Sequence, residues 1–221
     1  MSQSLRGEYD RQFAQVSDDL LRMGTMVDQS IAKALESLQN RDRPLAQRVI
    51  DEDEAINALR FKIEEACLAL IATQQPAATD LRAVVATMNI VVEMERIADH
   101  AAGIAKTVVL MGDEPLLKPL IDIPRMVKLA REMLQKSLEA YVNCDPDDAR
   151  LIADRDDEMD LLYQAVFEEL LEIMASKPGS VQRATYLMWC AHNLERIGDR
   201  VTNIAERVVF VSTGDMRELN V

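Results

Sequence analysis

The sequence predicts an all-α protein: a tandem repeat of two three-helix bundles built from long antiparallel helices. Three observations predict it. Of 221 residues 48% are apolar but only 4% aromatic, with seven glycines and seven prolines, a composition that favours helix over sheet. Apolar side chains recur at spacings of three and four over long stretches, as one buried helix face requires. Glu95-Arg96-Ile97-Ala98-Asp99 returns as Glu195-Arg196-Ile197-Gly198-Asp199, and positions 95–109 match 195–209 at eight of fifteen places.

In chain order, residues from about Leu5 to Asn40 form one amphipathic helix, with Leu20, Met23, Val27, Ile31, Ala34, Leu35 and Leu38 on one face. Asp42 can cap the next helix and Pro44 fits its first turn. That helix runs to about Thr73 with Val49, Ile50, Ile56, Leu59, Ile63, Cys67, Leu70 and Ile71 inward, and Gln74-Gln75-Pro76 ends it. A third helix spans about Ala77 to Met111 and carries the first ERIxD copy. Gly112-Asp113-Glu114-Pro115, with Pro119 and Pro124 beyond, is the strongest punctuation in the chain. The domain boundary is expected there, dividing the chain into 1–112 and 113–221.

The second half repeats the plan. A helix from about Ile123 to Asn143 precedes Asp145 as N-cap, Pro146 at the first helical position and acidic residues in the first turn. One helix is expected from there to about Ser176, broken by Lys177-Pro178-Gly179-Ser180, and a last one from Val181 to Val211 with the second ERIxD copy. The tail from Gly214 to Val221 is expected to fray. Asn40, Asp42, Ala46, Asp51 and Asp53 recur 103 residues on as Asn143, Asp145, Ala149, Asp154 and Asp156, so each half is one three-helix unit.

Glu and Asp of each ERIxD copy stand four apart, which on a helix stacks two carboxylates on one face. They repel, and a cation near them relieves the repulsion. It could be local, from Arg96 or Arg196, or a metal ion. Ile97, Ala101, Ile104 and Val108 form an apolar stripe, and Glu95 and Asp99 lie about 160–200° around the helix from Ile97. The carboxylates are therefore expected to face solvent or a partner. Asp156 and Asp160 form a second pair at the same spacing, matched in the first half by Asp53 and Asn57. An all-oxygen donor set selects hard cations such as Fe³⁺, Mn²⁺, Mg²⁺ or Ca²⁺ over tetrahedral zinc.

Charge and cysteine usage narrow the function classes. Twenty-five basic against 38 acidic residues leave a net charge of −13, without the basic face that a nucleic-acid partner needs. Cys67, Cys144 and Cys190 are widely spaced and read as reduced core thiols of a cytoplasmic protein. The amino terminus shows no apolar signal region and no stretch reaches the length of a membrane span. His100 and His192 complete no Glu-x-x-His pair, which argues against a di-iron oxidase. Tyr186, Met188 and Trp189 read as packing residues. No phosphate loop or activated nucleophile stands out, so no catalytic residues are expected.

The two ERIxD copies, the upstream acidic pairs, Met23-Gly24, Asp80-Leu81-Arg82 and the two-fold three-helix plan resemble the PhoU family over about residues 5–212. The resemblance implies a cytoplasmic regulator and not an enzyme. It would bind the phosphate ABC transporter through its ATPase subunit and a sensor histidine kinase, and hold the phosphate-starvation response off. Association with the membrane would run through these protein partners only, and a homodimer is common. Some members carry multinuclear iron or zinc clusters. Carried over, the ligand candidates are Asp53, Asn57, Glu95 and Asp99 in the first half and Asp156, Asp160, Glu195 and Asp199 in the second, with manganese or magnesium as further occupants. Asn57 stands where the motif has a carboxylate. A metal-storage or oxidase bundle is the alternative reading.

Overall fold

The computed structural model describes residues 2–215 and 219, with side chains from residue 6 onward. Seven α-helices and one short 3-10 turn make up its regular structure: α1 Ser2–Asn40, α2 Arg43–Gln74, α3 Thr79–Met111, α4 Asp122–Asn143, α5 Pro146–Ala153, α6 Asp156–Ser176 and α7 Val181–Thr213, with the 3-10 turn at Pro178–Ser180. The helix ends follow local chemistry. The Asp42 carboxylate accepts from the Leu45 N–H at 2.8 Å, and Asp145 accepts from Asp147 and Asp148 at 3.0 and 3.1 Å. Gln75 and Cys144 end α2 and α4 in the left-handed conformation.

Two expectations change here. The helix read as continuous from Pro146 to Ser176 is broken at Asp154 and Arg155 into α5 and α6. Arg155 N–H bonds the Ile152 carbonyl and Glu158 N–H bonds the Arg155 carbonyl, a tightened turn, while the Arg155 side chain reaches Glu132 of α4 at 3.1 Å. The break lets α5 and α6 each lie on α4 and α7. Cys144, read as a core thiol, caps α4 and is exposed, while Cys67 and Cys190 are buried. In the tail expected to fray, Gly214 caps α7 and Leu219 packs on the core. Met216, Arg217, Glu218, Asn220 and Val221 lie outside the described residues.

α3 and α7 form the centre and cross antiparallel. Glu93 meets Arg200 and Asn203 at 3.4 and 3.1 Å, and His100 meets Asn193 at 3.0 Å, so the crossing is centred on the two ERIxD copies. Ile97 and Ile197, the apolar members of those copies, are fully buried there. α1 and α4 cover one side of this pair; α2 packs on α1 and α3, and α5 and α6 pack on α4 and α7. One hydrophobic cluster runs from Tyr9 to Val209 through both halves. Across α1 and α4, the Arg131 guanidinium clamps the Asp28 carboxylate with two bonds of 2.7 and 2.8 Å.

The ERIxD isoleucines therefore hold the fold from within. Replacing Ile197 by Asp puts a charge among apolar side chains and is expected to cost roughly 3–5 kcal/mol. Loss of the cooperative thermal transition in circular dichroism would report it, and a melt like that of the parent would show that the crossing is not the core.

Candidate functional site

The acidic pairs lie in two grooves, one in each half. In the first, α2 supplies Asp53 and Asn57 while α3 supplies Glu95 and Asp99. Asn57 donates to Asp53 Oδ2 at 3.2 Å, and Asp53 Oδ1 is buried with no hydrogen-bond partner among the described residues. Burial first, then the charges of Asp99 and Glu95, push the Asp53 carboxyl above the ordinary aspartate value, with Lys106 opposing. Glu95 is engaged by Arg60 of α2 at 3.2 Å. Arg96, considered as the local cation for Asp99, pairs instead with Glu93 at 3.3 Å.

In the second groove α6 supplies Asp156 and Asp160, and α7 supplies Glu195 and Asp199. Here the local cation is present. Arg196 forks onto both Glu195 oxygens at 2.7 Å and reaches Asp199 at 3.0 Å. Burial, with Glu195 and Asp157 adding to it, raises the Asp160 carboxyl. Asp199 is raised by burial against the pull of Arg196, with Glu195 and Asp160 adding to the rise. His192 Nδ1 lies 3.6 Å from Glu195.

The glutamates do not face open solvent as the helix geometry alone suggested. Only 17% of the Glu95 side chain and 12% of the Glu195 side chain are exposed, with Arg60 of α2 reaching across to Glu95 and Arg196 folded onto Glu195. Asp156 is buried against α7, where a Cβ on Gly198 would stand 2.8 Å from its Oδ1. The glycine that replaces Ala98 in the second copy thus admits a closer approach of α6. Among the described residues no three His, Cys, Asp or Glu side chains converge closely enough to hold a metal ion as they stand.

Between α3 and α7 lies a polar cleft of about 510 Å³ that sequence reasoning missed. Asn89 and Glu93 form one wall, Arg200, Thr202, Asn203, Glu206 and Arg207 the other, and Asp156 and Asp199 join it to the second groove. Glu206 is held by Arg207 at 3.2 Å and by the Leu219 N–H at 2.9 Å. A signal was present in the mismatches of the repeat: Arg200, Thr202, Asn203, Glu206 and Arg207 replace His100, Ala102, Gly103, Lys106 and Thr107.

The sequence model of the PhoU domain matches residues 20–108 and again 123–208. The chain belongs to the PhoU family. A phosphate-specific transport system accessory protein PhoU homolog of Clostridium acetobutylicum is 36% identical over 213 residues, covering 96% of this chain and 97% of that protein. One from Caulobacter vibrioides is 38% identical over 208 residues, covering 94% and 90%. The PhoU crystal structure from Streptococcus pneumoniae superposes with a TM-score of 0.89 at 32% identity, over 95% of this chain and 99% of that one. PhoU from Pseudomonas aeruginosa gives 0.89 at 30% identity, over 94% and 100%. The all-helical, twice-repeated PhoU architecture expected from the sequence is thereby established.

The grooves make stability depend on pH in a defined direction. Asp53, Asp160 and Asp199 bind protons more tightly folded than unfolded, so their contribution is largest at low pH and is lost as pH rises through the raised values. The melting temperature is expected to rise as pH falls from 7 towards the ordinary aspartate range. Replacing all three by Asn should flatten that profile in calorimetry. An unchanged slope would show that the folded grooves do not raise these three carboxyls.

Proposed function

We propose that this chain is a cytoplasmic negative regulator of phosphate uptake and of the phosphate-starvation response, acting as an adaptor between the phosphate ABC transporter and a sensor histidine kinase. The observation that carries the reading is the correspondence over nearly the full length with accessory proteins of the phosphate-specific transport system. The surface chemistry supports docking rather than catalysis. Phe61 and Leu68 of α2, and Leu161 and Leu171 of α6, are large exposed apolar side chains on the two flanks. They are apolar anchors for the transporter's ATPase subunit, for the kinase or for a second copy of the chain. No described helix is long and apolar enough to cross a membrane; contact with the transporter is proposed to run through protein surfaces.

The grooves are proposed as sites for a hard cation, iron, manganese or magnesium by donor chemistry and zinc by family likeness. Asp53, Glu95 and Asp99 supply the first set, with Asn57 as an amide oxygen; Asp156, Asp160, Glu195 and Asp199 supply the second. Support comes from the buried Asp53 Oδ1, which has no partner among the described residues, and from the burial and neighbouring carboxylates that together raise Asp53, Asp160 and Asp199. In the second groove a metal ion would compete with the Arg196 guanidinium.

The deciding assay is alkaline phosphatase activity in the native host at high phosphate. Deletion of the gene is expected to switch the phosphatase on, and low activity in the deletion strain would remove the repressor reading. The double variant Glu195→Ala, Asp199→Ala is expected to keep its helix content in circular dichroism while failing to restore repression. A collapse of helicity would place that pair in the fold rather than on a working face.

A further inference from the structure

We propose that the cleft between α3 and α7 binds one protonated tetrahedral oxyanion per chain, hydrogen phosphate being the species its chemistry selects. Thr202 provides the first observation. Past the first turn of their helices, Thr25, Thr73, Thr87, Thr107, Thr185 and Thr213 all turn their hydroxyls back onto the carbonyl four residues earlier. Thr202 does not. The residue lines the cleft, is only 4% exposed, and its hydroxyl has no hydrogen-bond partner among the described residues.

Arg200 provides the second. Its Nε is buried without an acceptor among the described residues, and its Nη1 holds Glu93 only at 3.4 Å. Both donors line the same cleft from α7, towards opposite edges of the face that helix presents to it, and buried donors left without acceptors among the described residues are costly. What this wall lacks is an acceptor with several lone pairs. An oxyanion provides it, and Arg207, Asn203 and Asn89 add donors around the same space.

The cleft also holds four carboxylates, and they set the specificity. Glu93 is engaged by Arg200 and Asn203, and Glu206 by Arg207 and the Leu219 N–H. Asp156 and Asp199 line the same space as acceptors. Sulfate carries no proton, so against a carboxylate it can set only acceptor against acceptor. An oxyanion that carries a proton can donate it in a hydrogen bond to a carboxylate, which leaves hydrogen phosphate admitted and sulfate excluded.

The site is single because the counterpart in the first half is filled. There His100 is bonded to Asn193, Ala102 has no hydroxyl, and Asn193 Oδ1 lies 2.9 Å from where a Cβ on Gly103 would stand. The proposal rests on the phosphate-linked reading above for its choice of probe, and its test needs neither transporter nor kinase.

The test is isothermal titration of the purified, metal-stripped full chain with inorganic phosphate, repeated with sulfate at matched ionic strength and again with added Mg²⁺. One saturable site per chain is expected, with sulfate at least about tenfold weaker. Thr202→Val should weaken phosphate about tenfold, the equivalent of one hydrogen bond to an anion, while the melting temperature of the phosphate-free chain holds or rises because a buried hydroxyl without an acceptor is removed. Thr202→Ser should retain binding, and Arg200→Lys should lose it by about tenfold or more. Lys106→Gln, in the first-half counterpart, should leave phosphate affinity unchanged. Absence of saturable phosphate binding in both metal conditions, equal binding of sulfate, or full affinity in Thr202→Val would overturn the site. None of those results would touch the adaptor reading, which the reporter strain decides.

Discussion

The crossing of α3 and α7 is the constraint on which the rest of the molecule depends. Two helices of 33 residues each are packed antiparallel with Ile97 and Ile197 at the centre. Once those side chains are buried, helix periodicity decides what every neighbour in the repeated stretch does. Glu95, Asp99, Glu195 and Asp199 turn to the flanks where α2 and α6 lie. Glu93, Arg200 and Asn203 turn to the seam between the two helices. The same stretches of α3 and α7 hold the fold from one side and supply much of the candidate site from the other.

This arrangement explains how an acidic chain tolerates half-buried carboxylates. Arg60 crosses from α2 to Glu95, Arg196 forks onto Glu195 and Asp199, and Arg200 joins Glu93 across the seam. Each guanidinium serves carboxylates drawn together by packing, which suits its planar, multiply donating head. The compensation is incomplete at Asp53, Asp160 and Asp199, which stay raised. Groups left in that state favour a proton, a cation or a partner's positive charge over the isolated folded chain.

Much of the fold was legible because it is local. The caps at Asp42 and Asp145, the breaks at Gln75 and Gly112 and the stripe through Ile97 follow from residue chemistry within a few positions. The break between α5 and α6 was not, since Asp154 and Arg155 are ordinary helix residues and the turn is stabilised by a contact from Arg155 to Glu132 on another helix. The acidic positions were legible from spacing, but the partial burial of Asp53, Glu95, Glu195 and Asp199 depends on side chains from other helices and on Arg196, whose rotamer spacing does not fix. The polar cleft was hidden for a stronger reason. Its walls come from helices about a hundred residues apart, and only the register of the crossing says that Glu93 meets Arg200.

The ion pair of Asp28 with Arg131 shows what joining the halves in one chain makes possible. The two residues differ by the 103 positions that relate the early helices of the halves, so they occupy the same place in each half and meet on the axis of pseudo-symmetry. Two identical half-length subunits could only bring Asp against Asp or Arg against Arg there, a like-charge contact at their own interface. Covalent linkage lifts that prohibition. Each half can become the complement of the other instead of its copy, and a feature on the seam can exist once instead of twice.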